Sequence, residues 1–242
     1  NTINGANSLT TSGSGTTTVS GIIGGATALS ALTLGGTGAV TLSGIGGAST
    51  AGVSGATSVS GSGSTITLNG STYNANAQTY TANNTILGAN TTITTSDDNI
   101  TFSNTINASA ATGYSLTING GTGTVTVGGA IGGVTALTSV TTDTGGSVSL
   151  QSVTTSGAQS YGDATVTLNG TYATTDSNFS VTNVAILGGA TTINVGTGAI
   201  SFSNTINGAN SLTTSGSGTT TVSGIIGGAT ALSALTIGGT GA

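Results

Sequence analysis

Five carboxylates, Asp97, Asp98, Asp143, Asp163 and Asp176, are the only charged side chains among 242 residues, and they give a net charge of -5. Carboxylates alone support three kinds of chemistry. Two held across a groove hydrolyse glycosides, a spaced acidic loop holds Ca²⁺, and single acids at turns serve as solvated charges. Asp97 and Asp98 in TTSDDNIT are the only adjacent acids, and with Ser96, Asn99 and carbonyl oxygens they are the candidate Ca²⁺ ligands. A calcium ion needs six to eight oxygens, however, and no spaced acidic array of the GGxGxD type accompanies them. Asp143 in TTDTGG, Asp163 in SYGDAT and Asp176 in TTDSNF sit in equally turn-like settings. All five therefore read as solvated corner residues.

The remaining residues narrow the chemistry further. Without Lys, Arg, His or Cys there is no imidazole, ammonium, thiol or guanidinium, so the abundant Ser and Thr lack a basic activator. Glycine-rich strings such as GTGTVTVGGAIGG do not end in GKT or GKS and open no helix, which argues against a phosphate-binding loop. The absence of cations also argues against nucleic acid as a partner and against a basic membrane-surface face. No apolar run approaches the length of a membrane span, and no signal peptide is legible. Tyr73, Tyr80, Tyr114, Tyr161 and Tyr172, with Phe102, Phe179 and Phe202, read as packing residues more readily than as a sugar-stacking platform. Sequons begin at Asn69, Asn83, Asn90, Asn99, Asn107, Asn169 and Asn178, a number that an Asn-, Ser- and Thr-rich chain produces by chance. The resulting expectation is an enzymatically inactive chain with no catalytic, cofactor-binding or metal-ligating residue.

The elements that place these residues are repeats. Residues 1–39 and 204–242 are identical except that Leu34 becomes Ile237. A looser echo at an offset of 100 relates 68–107 to 168–207, so that Leu68-Asn69-Gly70 returns as Leu168-Asn169-Gly170. A shorter phase of 20 aligns Ile3 with Ile23, Leu9 with Leu29, Ile206 with Ile226 and Leu212 with Leu232. It stretches to 21 between Leu116 and Leu137 and to 23 between Val19 and Leu42.

Within each phase TVTVGGAI, SLTING, ATVTLNG and ISFSN alternate with period two and stop at Gly or Asn, which tolerate positive φ. Dense β-branched residues and glycine disfavour helix, and TALSAL is too short to nucleate one. Asn-Gly also suits hairpins, but a repeat returning in phase stacks like on like, as parallel coils require. The pattern predicts an all-β fold, a parallel β-helix (β-solenoid) with rungs of about 20–25 residues. It forms one continuous region over 1–242, a window of a longer repetitive chain. About twelve rungs give a rod on the order of 55–60 Å. Ile23, Leu29, Ile226 and Leu232 are expected to point inward. The Thr-rich strands also admit an ice-binding face, for which TTTV, TLNG, TINV and TTDT vary too much between coils.

The phrases VTTSGAQSYGDATVTLNG (153–170), ISFSNTINGANSLTTSGSG (200–218) and VTVGGAIGGVTALTSVTTDTGGSV (125–148) resemble the repeat region of filamentous haemagglutinin-like, two-partner-secretion adhesins, large secreted bacterial surface proteins. The resemblance covers essentially the whole chain. It implies a right-handed parallel β-helix, an outer-membrane secretion partner, and an extracellular or cell-surface location. The expected function is a structural fibre or stalk contributing to surface architecture or cell–cell contact, whose partners are further copies of its own repeat, end to end or laterally. The alternative is an adhesin that binds surface glycans or a receptor through an exposed face.

Overall fold

The structure, a computed structural model, describes residues 1–110 and 113–239. The last three residues of the 204–242 repeat therefore lie outside the described residues. Among the described residues every regular element is a strand, and the ladders between strands are parallel. The chain is a β-solenoid. The spine of its larger sheet stacks eleven strands, from Leu9–Thr11 through Thr57–Leu68, Thr124–Val127 and Val184–Asn194 to Ala234–Ile237. At the ordinary strand spacing this makes a rod of about 50 Å. A second sheet runs beside it through eight strands, from Thr72–Asn74 to Thr220–Val222.

Alternation places the core. Strands such as Val40–Leu42, Ile100–Phe102 and Ser147–Leu150 bury every second side chain, because successive residues of a strand face opposite sides. The inward residues then stack from rung to rung: Ile3 on Ile23, Ile23 on Ile45, Ile45 on Tyr73, Tyr73 on Ile93 and Ile93 on Ile118. Burying each such branched side chain contributes about 1.5–3 kcal/mol, and all of it depends on the neighbouring rung. Two long strands, Thr57–Leu68 and Thr165–Thr174, carry register shifts at Gly61/Thr65 and Leu168/Gly170, which let one strand continue around a corner.

The twenty-residue phase holds for part of each rung only. Ile3 pairs with Ile23 and Ile206 with Ile226 as expected, and Val19 pairs with Leu42. Leu9, however, pairs with Leu32 rather than Leu29, Leu212 with Leu235 rather than Leu232, and Leu116 with Val140 rather than Leu137. The GGATAL turn inserts three residues between the Ile and Leu columns, so one rung has a different length on its two sides. Leu29 is still inward, 2% exposed, in a bridge to Val53, and Ile23 is fully buried. Ile226 and Leu232 are only partly buried, since no described rung lies over them. TALSAL forms no helical turn: Leu29 makes its bridge and Leu32 opens the strand Leu32–Leu34.

Candidate functional site

The carboxylates fasten corners to one another. Asp97 adopts a left-handed φ of 66°, and Asp176 one of 51°. Each begins an Asp-x-Asn clip. Asp97 Oδ1 accepts the Thr122 N–H at 2.8 Å while Asn99 Oδ1 accepts that of Thr124 at 2.9 Å. Asp176 and Asn178 treat Thr197 and Ala199 the same way, both at 2.9 Å. From the rung on the other side, Asp143 accepts the N–H groups of Gly120 at 3.3 Å and Gly121 at 2.8 Å. Two acids thus satisfy three successive donors of one turn, which would otherwise depend on water. Asp97, one of the candidate Ca²⁺ ligands, has its Oδ1 engaged in this clip. Among the described residues no three acidic groups come together.

Asp163 departs from its expected role as a solvated corner. It is 1% exposed and accepts a hydrogen bond from the Thr142 hydroxyl one rung away. Burial pushes its carboxyl up to about 6, with nearby Asp143 adding to the rise and the Thr142 hydrogen bond opposing it. The unfolded carboxyl ionises near 3.8, so between that value and about 6 the folded chain keeps a proton that the unfolded chain has released. Its contribution to stability is therefore fully present below the unfolded value and lost as pH rises through the folded one. Asp163→Asn keeps the acceptor for Thr142 and removes the charge. It is expected to stabilise the protein by about 2–3 kcal/mol above pH 6 and to change little at about pH 3. Thermal melts at both pH values check this; an equal shift at both would show that the charge is not the cause.

Asparagine makes a second kind of clip. Asn4, Asn107 and Asn207, each following an Ile in TIN, lie under the Gly-Gly turn of the next rung. Asn4 Oδ1 accepts the N–H groups of Ala26 and Thr27, Asn107 those of Val134 and Thr135, and Asn207 those of Ala229 and Thr230, at 2.8–3.3 Å. In these three places the Asn of TIN is completed by an IGGAT or IGGVT turn one rung on. Asn107 is also a sequon residue, but it is 2% exposed and donates to Asn84 Oδ1 at 2.9 Å. In the folded chain its amide nitrogen is thus engaged and shielded.

Sequence reading missed two buried polar plugs, in AQTY and AQSY. Gln78 donates to the carbonyls of Tyr73, Ala75 and Thr94 and accepts from the Tyr80 hydroxyl at 2.6 Å. Gln159 is placed the same way toward Val153, Thr155, Ala173 and Tyr161. The paired recurrence of Ala-Gln-x-Tyr was the available signal. Seven of the eight aromatic residues are fully buried, with Tyr80 stacked on Phe102 at 4.7 Å and Phe179 packed on Tyr161, Tyr172 and Phe202. Only Tyr114 is half-buried, so no exposed aromatic cluster exists among the described residues to stack on a sugar.

The outward face carries hydroxyls in columns. On the larger sheet Thr10, Thr33, Ser58, Thr79, Thr101, Thr126, Ser149 and Thr167 lie in register on successive rungs. The second sheet aligns Thr72, Thr92, Thr117, Thr141, Ser160, Ser180, Ser201 and Thr221. Neighbouring hydroxyls approach within hydrogen-bond reach, as Ser160 and Ser180 do at 3.3 Å. The coils that looked too variable in sequence are thus more regular in space. No protein-family model, curated protein or solved structure matches the chain.

Proposed function

We infer that this chain is structural: a stretch of an extracellular rod or fibre that projects from or links bacterial cells. One observation carries the reading. A single apolar core runs through the eleven-strand spine, and the polar side chains of the corners are engaged in joining each rung to the next. A rod built this way transmits its order along its axis, and its length is set by the number of rungs. The repeat phrases resembling two-partner-secretion adhesins support a surface location and an outer-membrane secretion partner. Further copies of the repeat are the natural neighbours, end to end. Electron microscopy of the purified chain, with a power spectrum and the mass of the denatured species, tests the reading. Elongated particles with a meridional spacing near ~4.8 Å are expected; compact particles lacking it would refute the rod.

The hydroxyl columns favour a second reading, in which the exposed face binds periodic glycans by hydrogen bonding along its length. Retention on an insoluble polysaccharide, reduced when outward Thr126 and Thr101 are replaced by Val, would support it. Unchanged retention would assign the face to solvation alone.

A further inference from the structure

An asparagine followed by glycine is prone to ring closure, because glycine has no Cβ to shield its backbone nitrogen from the asparagine side chain. Five such pairs occur, at Asn4, Asn69, Asn119, Asn169 and Asn207. Three are held by the side chain. Asn4 and Asn207 are turn clips whose Oδ1 accepts two N–H groups each, and the Asn169 amide donates to Gln151 Oε1 at 2.8 Å. Among the described residues the side chains of Asn69, which is exposed, and Asn119, which is half-buried, have no hydrogen-bond partner. These two differ in what holds the next nitrogen. The Gly70 N–H donates at 3.0 Å to the buried Tyr73 hydroxyl, which itself donates to the Leu42 carbonyl. Burial pushes that phenol well above its ordinary range, so it stays neutral and is no base. The Gly120 N–H donates instead to a carboxylate, Asp143 Oδ1, at 3.3 Å. Ile118 pairs with Thr142, so Asn119 and Asp143 come next to each other on adjacent rungs.

We propose that Asn119 is a site of spontaneous deamidation, with the Asp143 carboxylate as its base. The Gly120 nitrogen gives its proton to Asp143 Oδ1 and attacks Asn119 Cγ, and the new C–N bond closes a succinimide ring. The bond from Cγ to Nδ2 breaks, and that nitrogen leaves as ammonia with the proton returned by Asp143. Water then adds to either imide carbonyl and opens the ring. The product at position 119 is an aspartyl residue or its isoaspartyl isomer, in which the backbone runs through the side-chain carbon. Base, nucleophile and electrophile lie within one corner, so no collision has to bring them together. Only the 3.3 Å contact has to yield, since the Gly121 N–H keeps the other Asp143 oxygen in place at 2.8 Å. Conversion sets a new carboxyl group beside Asp143. The isoaspartyl form also adds a backbone atom to a corner that closes through the Gly123 N–H on the Gly120 carbonyl at 3.0 Å. The site therefore marks the age of the chain, and its chemistry is independent of what the rod does.

The whole chain is aged in neutral buffer and, in parallel, in concentrated urea, then digested with pepsin, and mass spectrometry reads the conversion at each of the five asparagines. In urea all five are expected to convert at similar rates, since each is the same Asn-Gly pair. In the folded chain Asn119 is expected to convert about tenfold faster than Asn69. That is less than the roughly hundredfold or more of a well-aligned general base, because the 3.3 Å contact is long. Asn4, Asn169 and Asn207 should be slower still. Equal rates at Asn119 and Asn69 in the folded chain overturn the proposal. Asp143→Asn removes the base and keeps an acceptor oxygen. It is expected to bring Asn119 down to the Asn69 rate while the other four sites keep their parent rates. An undiminished rate at Asn119 in that variant, with the other four unchanged, also overturns it. If the variant unfolds, all five sites move to their urea rates, and the comparison of Asn119 with Asn69 in the parent chain decides.

Discussion

Leu137→Asp is expected to destabilise the rod by about 4–5 kcal/mol, whereas Leu232→Asp, at the equivalent position of a related phrase, costs about 1 kcal/mol. Both residues follow Thr-Ala after a Gly-Gly turn, in VTAL and ATAL. Leu137 is fully buried in the middle of the solenoid, in a bridge to Thr155 on the next rung. Its replacement forfeits the transfer energy of a leucine and places a carboxyl group where water does not reach. The new group is expected to take up a proton, so the defect grows as pH rises from the value of an unfolded carboxyl toward the raised folded one and levels off above it. Leu232 is only partly buried, and an acid there remains hydrated. Urea denaturation of the two variants beside the parent, at about pH 4 and pH 7, separates them. Equal losses would show that burial depends on the local phrase and not on the covering rung.

The second expected result concerns backbone clearance at the same turns. Gly132 and Gly227 hold left-handed φ angles of 70° and 72°. A methyl group on Gly132 would overlap the Thr154 carbonyl oxygen of the next rung, which is backbone and has no side-chain rotamer to escape by. On Gly227 the nearest atom is the Ala231 Cα at 3.1 Å. Both alanine variants carry the conformational penalty of about 1 kcal/mol. Gly132→Ala must in addition push two stacked rungs apart, breaking parallel ladders on either side, and is expected to cost more than about 3 kcal/mol in total. Circular dichroism melts of Gly132→Ala and Gly227→Ala give the comparison directly. A small, equal loss in both would mean that the rungs leave room for a methyl group at this turn.

Alternation, glycine punctuation and in-phase repetition were enough to specify parallel coils. Val-Thr-Val and Ile-Ser-Phe have no second way to bury one face, and a phrase that returns unchanged supplies its own stacking partner. The corner position of Asp97, Asp143 and Asp176 was legible from their Gly, Asn and Thr setting, but their clips were not, because the N–H groups they accept belong to another rung. Register was not legible in full. Aligning Leu9 with Leu29 matched letters, whereas the chain pairs Leu9 with Leu32 because the GGATAL turn lengthens one side of the rung, and a one-dimensional repeat carries no record of which side an insertion occupies. Nor did local sequence mark Asp163 as the acid that faces inward, or Gln78 and Gln159 as interior plugs. Their neighbours along the chain are as polar as those of the exposed corners. What buries Asp163 is Thr142 on another rung, and what satisfies Gln78 is the carbonyl of Thr94, sixteen residues away. Burial here is a property of the rung above and the rung below, so identical residues become core in the middle of the stack and surface at its uncovered face, as Leu32 and Leu235 do.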